Sequence, residues 1–231
     1  MTAGGEPSRP GPDPRGIPAT DLRHPVFARI WPRLRVGMDR GGMAERRRDL
    51  LAGLAGRVIE VGAGDGADFA HYPPEVTGVL AVEPEPRLRA LARAAARTAP
   101  VPVRVTGGIA EALPAAEGSF DAAVASHVLC SVRDEAAAAA ELHRVLRPGG
   151  RLRFLGHVGA AAPAARAVEW LLDATFWPRL CAGCHLGRTT LDTLRRAGFR
   201  LNEGTLVWFH FPEVRIVTPG GRHVLAELRR P

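Results

Sequence analysis

Val58 to Pro73 read VIEVGAGDGADFAHYP. A β-branched run ends at Glu60-Val61, and Gly62, Gly64 and Gly66 follow at alternate positions, so the chain is expected to leave a strand through a tight turn that opens a helix. Glycines in that setting let the backbone approach a ligand closely. A phosphate loop is excluded, because the lysine and Ser/Thr pair that would hold phosphate and magnesium is missing. A dinucleotide fingerprint is disfavoured too, since Gly66 comes one residue too early for G-x-G-x-x-G. Glu60, on the strand just before the turn, is badly placed for a pyrophosphate and well placed to pair with a ligand's ammonium group.

Outward from this turn the pattern is regular. RVIEVG (57–62), TGVLAVEP (77–84), PVRVTGG (102–108), FDAAVASHV (120–128) and GGRLRFLGHV (149–158) read as strands. Helical stretches are predicted over Met43–Leu54, Glu85–Thr98 and Asp134–Leu146, with a short aromatic helix before them interrupted at Pro32. Strands alternating with helices imply a parallel sheet covered on both faces. The final third departs from that rhythm: an insert over 160–187 is followed by a helix from Thr189, with Asp192 as a capping-box-like partner. GFRLNEGTLVWFHF and RIVTPGGRHVLAEL are then expected as two further strands.

Glu83 ends the second strand about 20 residues after the glycine turn, where a carboxylate can accept both hydroxyls of a ribose. Two carboxylates and the glycines describe a ligand with a cationic amino-acid end and an unphosphorylated ribose. S-adenosylmethionine is that ligand. From Arg57 to about Phe199 the chain resembles the class I S-adenosylmethionine-dependent methyltransferases: EVGAGDG looks like their first motif, AVEP their second, GGIAEALP their adenine segment, SFDAAVASHVL their fourth strand and RVLRPGGRL the turn into the fifth. The resemblance implies an α/β, Rossmann-like fold with a seven-stranded, mostly parallel sheet and helices on both faces. It also implies cofactor roles for Glu60, Gly62, Ala63, Gly64 and Gly66, for Glu83 and Pro84 at the ribose, for Ile109, Ala110 and Glu111 around the adenine, and for Ser126. Many relatives carry an acidic residue where Ile109 stands, so here the adenine is expected to meet apolar packing and the Ala110 N–H.

HYPP, VLCSVRD, LGHV and CAGCHLGRTT narrow the match, resembling the methyltransferase-like family that includes alkyl thiol S-methyltransferases. Relatives usually carry a glutamate where Gly156 stands. The acceptor implied is a small molecule, a thiol first and an amine, phenol or phospholipid headgroup as alternatives; binding of S-adenosylmethionine without turnover is the reading outside catalysis. His157 and His127, at strand ends facing the cofactor, are the candidate proton acceptors, against packed, hydrogen-bonded roles. Trp170, Trp177 and Cys184 are the candidate acceptor-site residues, although helical spacing of Trp170, Phe176 and Trp177 equally suits core packing. A helix around Phe27, Ile30 and Trp31 is expected to close over the cofactor, as N-terminal helices do in similar enzymes. Cys181, Cys184 and His185 have the look of a zinc motif, but one Cys-x-x-Cys without a second ligand pair predicts no metal.

Composition limits the remaining possibilities. The chain has 231 residues and a net charge of +7, yet every Lys/Arg position is arginine, which indicates coding bias more than selection for phosphate contacts. The run AERRRDLL (44–51) is expected to be a solvated helix face, no NPPY-like tetrapeptide follows the fourth strand, and no nucleic-acid partner is expected. No apolar run approaches the roughly 18 residues of a membrane span, and three cysteines are too few for a secreted scaffold. The expectation is a cytoplasmic protein with a disordered tail over residues 1–21 and one domain over 22–231; the oligomeric state is left open.

Overall fold

Five strands of Val, Ile, Leu and Ala form a sheet too apolar to leave either face in water: β1 (Gly56–Val61), β2 (Val76–Val82), β3 (Val103–Thr106), β4 (Phe120–Ser126) and β5 (Leu146–His157). The computed structural model describes residues 22–212 and 220–231. The predicted tail and the beginning of the last predicted strand therefore lie outside the described residues. β6 (Arg200–Leu201), β7 (Val207–His210) and β8 (Arg222–Arg229) complete the sheet, with the order β3-β2-β1-β4-β5-β8. β1 to β5 pair in parallel and β8 is antiparallel to β5.

The expected seven strand positions are kept, with eight strands of the described residues filling them. β6 pairs with Leu228–Arg229 and β7 with Arg222–Leu225, so the two share one edge of β8. A single strand was expected there; a turn at Glu203–Thr205 divides it.

Neighbouring residues of each strand point to opposite layers. Val58, Val79, Val124 and Leu155 pack with Leu50, Leu51 and Leu54 on and just beyond α2 (Ala44–Leu51), and with Ala92 of α3 (Pro86–Ala95). Ile59, Leu80, Ala123 and Phe154 pack with Leu142 and Val145 of α4 (Glu135–Val145) and Leu194 of α7 (Thr190–Arg196). Each fully buried Leu, Ile or Phe contributes about 1.5–3 kcal/mol relative to exposure. Caps fix the helix starts: the Glu85 carboxylate accepts from Leu88 N at 2.9 Å, and Asp134 from Ala137 N at 2.9 Å.

Local expectations fail in four places. No α-helix follows the glycine turn: Gly64 and Gly66 hold φ of +57° and +82°, outside the right-handed helical region, and only a 3-10 turn forms at Phe69–His71. Pro32 does not interrupt α1 (Pro25–Met38), from which it removes one backbone donor. Thr189 does not cap α7; instead the Thr190 and Thr193 hydroxyls donate to Glu135 at 2.7 and 2.8 Å, tying α7 to the first turn of α4. The insert folds as α5 (Pro163–Ala174) and α6 (Trp177–Leu180), and Trp170 and Phe176 face solvent, 70% and 54% exposed. Among the described residues no helix is long and apolar enough to cross a membrane.

Candidate active site

The strand order reverses between β1 and β4, and a crevice outside the carboxyl ends of the strands is expected at such a point. Register fills it. Val61 lies opposite Val82 on one side and Ala125 on the other, so the next residues, Gly62, Glu83 and Ser126, meet at one level. Glu60, Gly62, Ala63, Gly64, Ser126 and His127, all singled out in the sequence, line one pocket together with Trp31, Arg47, Asp65, Ala67 and Asp68.

The glycines have separate reasons. At Gly62 a Cβ would stand 2.3 Å from Val128 Cγ2, and at Gly66 2.8 Å from Phe69 Cε2, so both are needed for packing behind the turn. Gly64 faces the pocket, where a Cβ would approach only Trp31 Nε1, at 3.3 Å. Its N–H donates to Glu83 Oε2 at 2.8 Å, while Glu85 N donates to Oε1 at 2.9 Å. Burial nevertheless pushes the Glu83 carboxyl up to about 7. Pro84 follows, and Arg89 Nη1 clamps the carbonyls of Glu83 and Pro84 at 2.9 and 3.1 Å.

Glu60 is buried and accepts from Tyr72 Oη at 2.7 Å. Burial, then the neighbouring Asp68, push its carboxyl well above the usual range. Arg47 does not hydrogen-bond to it: Nη1 donates to Asp68 Oδ1 at 2.7 Å and Ser126 Oγ at 3.4 Å, and Nε to Asp39 Oδ1 at 3.2 Å. The solvated-face expectation for the RRR run thus fails at Arg47, which is 4% exposed. A signal was present: position 47 falls on the same helical stripe as Met43, Leu50, Leu51 and Leu54.

α1 forms the outer wall. Trp31 stacks on Phe27 with centroids 5.3 Å apart, and Arg35 donates to Asp65 Oδ2 through Nε at 3.1 Å and Nη2 at 3.0 Å, joining the helix to the glycine turn.

Ile109 and Ala110 are buried beyond β3. Glu111 is also buried, and its Oε1 accepts from Arg133 N and Asp134 N at 2.8 and 3.2 Å, which ties its side chain to the start of α4.

The two histidines differ. His127, at φ +53°, has both ring nitrogens buried without a hydrogen-bond partner among the described residues, and burial holds its pKa well below the usual value. His157 Nε2 lies 3.1 Å from His185 O and 3.5 Å from Cys184 Sγ. Burial alone would lower its pKa, but Cys130 and the His185 carbonyl raise it to about 9. His223 lies between them, with centroids 5.5 Å from His127 and 6.0 Å from His157. Cys130 is held well below the ordinary thiol range, first by its hydrogen bond with Cys184, whose own thiol is raised by the same bond.

Of the predicted acceptor-site residues, Cys184 and half-buried Trp177 belong to this end of the fold, where the Trp177 side chain reaches the Cys184 thiol. Trp170 does not. The inward face of α5 is taken by Glu169, which accepts from Ala160 N at 2.7 Å, and by Asp173, which accepts from Leu186 N at 2.7 Å; the residue beside Glu169 is turned about 100° away. Sequence reading missed Trp31's partner Arg35, Arg47, Asp65, Asp68, Tyr72 and His223, which enter through tertiary pairing.

A family model described as a methyltransferase domain matches residues 59–154. The thiol S-methyltransferase TMT1A of Homo sapiens is 34% identical over 169 residues, 68% of this chain and 68% of that protein. The demethylmenaquinone methyltransferase of Deinococcus radiodurans is 33% identical over 168 residues, 68% of this chain and 69% of that protein. A solved S-adenosylmethionine dependent methyltransferase from Mesorhizobium loti shares the fold, with a TM-score of 0.59 at 22% identity over 80% of this chain and 96% of that one.

Proposed function

Because the chain belongs to the class I S-adenosylmethionine-dependent methyltransferases, we propose that its acceptor is a small apolar thiol, which it S-methylates. The observation that carries this reading is the set of groups at the carboxyl ends of β4 and β5 and the amino end of the antiparallel β8. His127, His157 and His223 gather there with Cys130 and Cys184, while the nearby carboxylates of Glu169 and Asp173 are committed to backbone N–H groups. Imidazoles and thiols suit a soft, developing anion; an ammonium acceptor would find no free carboxylate among them. The identity to a thiol S-methyltransferase points the same way.

The pocket suits the cofactor. Glu60 is buried without a hydrogen-bonded cation among the described residues, a place that the ligand's ammonium would fill. Glu83 would accept from the ribose, and Ala110 N–H with Ile109 would border the adenine. When bound, S-adenosylmethionine supplies a methyl group on a sulfonium sulfur, and transfer is an in-line displacement governed by alignment at ~3–3.5 Å. Ser126 and Arg47 hold the pocket floor, Trp31 covers the turn, and His127 presents the free ring nitrogen that takes the acceptor's proton. Methyl-labelled cofactor, offered with alkyl thiols, phenols, amines and a demethylated quinone, tests the reading. An S-methyl product is expected; product from another class alone would reassign the acceptor, and none from any class would leave a binding protein.

Cofactor affinity should fall in mild acid. The Glu83 carboxyl titrates at about 7, so below that pH it is protonated and loses acceptor capacity. If the carboxylate is the binding form, its population drops from ~90% at pH 8 to ~10% at pH 6, weakening binding about tenfold. Calorimetry at both pH values checks this, with Glu83→Gln expected to be weaker and insensitive to this step. Equal affinity of the wild type at the two pH values would remove Glu83 from the ribose site.

α1 should act on the cofactor's departure. Arg35→Ala severs the tie to Asp65, and a partly buried pair of this kind is worth up to ~1 kcal/mol, about a fivefold faster dissociation. Stopped-flow fluorescence can follow it. An unchanged off-rate would take α1 out of the gating role.

A further inference from the structure

Cys130, His157 and Cys184 come from the turn after β4, the end of β5 and the insert. No local spacing links them, yet one ligand atom from each lies within 4.8 Å of the other two. Cys184 Sγ and His157 Nε2 are 3.5 Å apart, and ligation through Nε2 would replace its 3.1 Å hydrogen bond to His185 O. With Zn–S of ~2.3 Å and Zn–N of ~2.0–2.1 Å, two donors on one tetrahedral zinc stand roughly 3.5 Å apart. Cys130 and His157 are buried and Cys184, on the insert, is partly exposed. None of the three is needed to bind the cofactor or, with His127 in place, to receive the acceptor's proton.

We propose that Cys130, His157 and Cys184 hold one zinc ion whose fourth position takes the sulfur of the thiol acceptor. Two thiolates and one imidazole form a soft donor set, and three protein ligands with one open position make a catalytic site, not a closed structural one. The role of the open position rests on the thiol reading; the metal site itself does not. In the step that follows, the acceptor exchanges its S–H bond for a Zn–S bond, and the proton passes to His127 or to water. The sulfur's electron pair then forms the new S–CH3 bond, the methyl–sulfonium bond breaks, and its electron pair stays on the departing sulfur of S-adenosylhomocysteine. The thioether product is neutral, a poorer zinc ligand, and leaves.

The experiment reads metal content before activity. Full-length protein, dialysed against a weak chelator, is expected to retain about one zinc per chain by mass spectrometry, as does Cys181→Ser, whereas Cys130→Ser and Cys184→Ser lose it. Melting curves accompany each variant, and Cys184→Ser, at a partly exposed position, keeps the test open if the buried Cys130→Ser chain loses its fold. Cobalt substitution should give thiolate charge-transfer and tetrahedral bands that an alkyl thiol shifts and a phenol does not. Zinc well below one per chain, or equal zinc in the wild type and both serine variants, would leave only a hydrogen-bonded cluster and overturn the site. Cobalt bands indifferent to thiols would overturn the open position. Since metal content is measured without acceptor, failure of the thiol reading in the acceptor panel is seen separately.

Discussion

His127→Asn is expected to lower kcat/KM for an alkyl thiol by up to about 30-fold at pH 7, while leaving the affinity for S-adenosylmethionine unchanged. The ceiling comes from the acceptor: a thiol with a pKa of ~8.5 is already ~3% thiolate at that pH, so solvent can replace a lost base to that extent. A phenol with a pKa of ~10 is ~0.1% ionised, and the same substitution would cost about 1000-fold. The size of the loss therefore reports the acceptor class as well as the residue. Asparagine is the right replacement because position 127 holds φ +53°, a left-handed conformation that Asn tolerates and β-branched residues do not. His127→Gly, which relieves the same backbone and opens a cavity, should be partly rescued by added imidazole. Equal turnover in wild type and His127→Asn, with both folded, would show that the unpartnered ring does no proton transfer.

The parts of this fold written in local patterns were readable. Alternation of β-branched strands with Ala/Leu helices, and the glycines after Glu60, predicted the parallel sheet and the crevice. Cofactor-side residues lie close in sequence to strand ends, so Gly62, Glu83 and Ser126 could be placed by counting. What remained hidden depends on distance across the chain. Arg47 looks like one of three exposed arginines until Asp68 and Asp39, from either side of it in sequence, converge on its guanidinium. Glu111 looks like a cofactor contact until the N–H groups of Arg133 and Asp134, at the entry to α4, converge on its carboxylate. The zinc-like CAGCH run drew attention to Cys181 and His185, whereas the partners of Cys184 are Cys130 and His157, brought in by two strands. Trp170 illustrates the reverse error, since an aromatic spacing that suits a core instead lies on the outer side of α5.

Gly64→Val should weaken S-adenosylmethionine binding by more than about 100-fold, the equivalent of ~2.7 kcal/mol, and abolish turnover with every acceptor. Three glycines share the turn, but only this one isolates the ligand. A side chain at Gly62 would drive into Val128 at 2.3 Å, and one at Gly66 into Phe69 and Ala95 at 2.8 and 2.9 Å, so either variant would report on folding first. At Gly64 the one near neighbour is Trp31 Nε1, 3.3 Å away on a helix joined to the turn by the Arg35–Asp65 pair. The added isopropyl group would thus fill the space between turn and helix. It would also strain the N–H that donates to Glu83, because φ of +57° costs an ordinary residue about 1–2 kcal/mol. That cost lowers the melting temperature by roughly 2–8 °C and leaves the sheet intact. Circular dichroism should accordingly match the wild type while calorimetry detects no binding. A folded Gly64→Val protein with wild-type affinity would mean that the ligand does not approach the backbone at this turn, and the pocket between Trp31 and His127 would need another occupant.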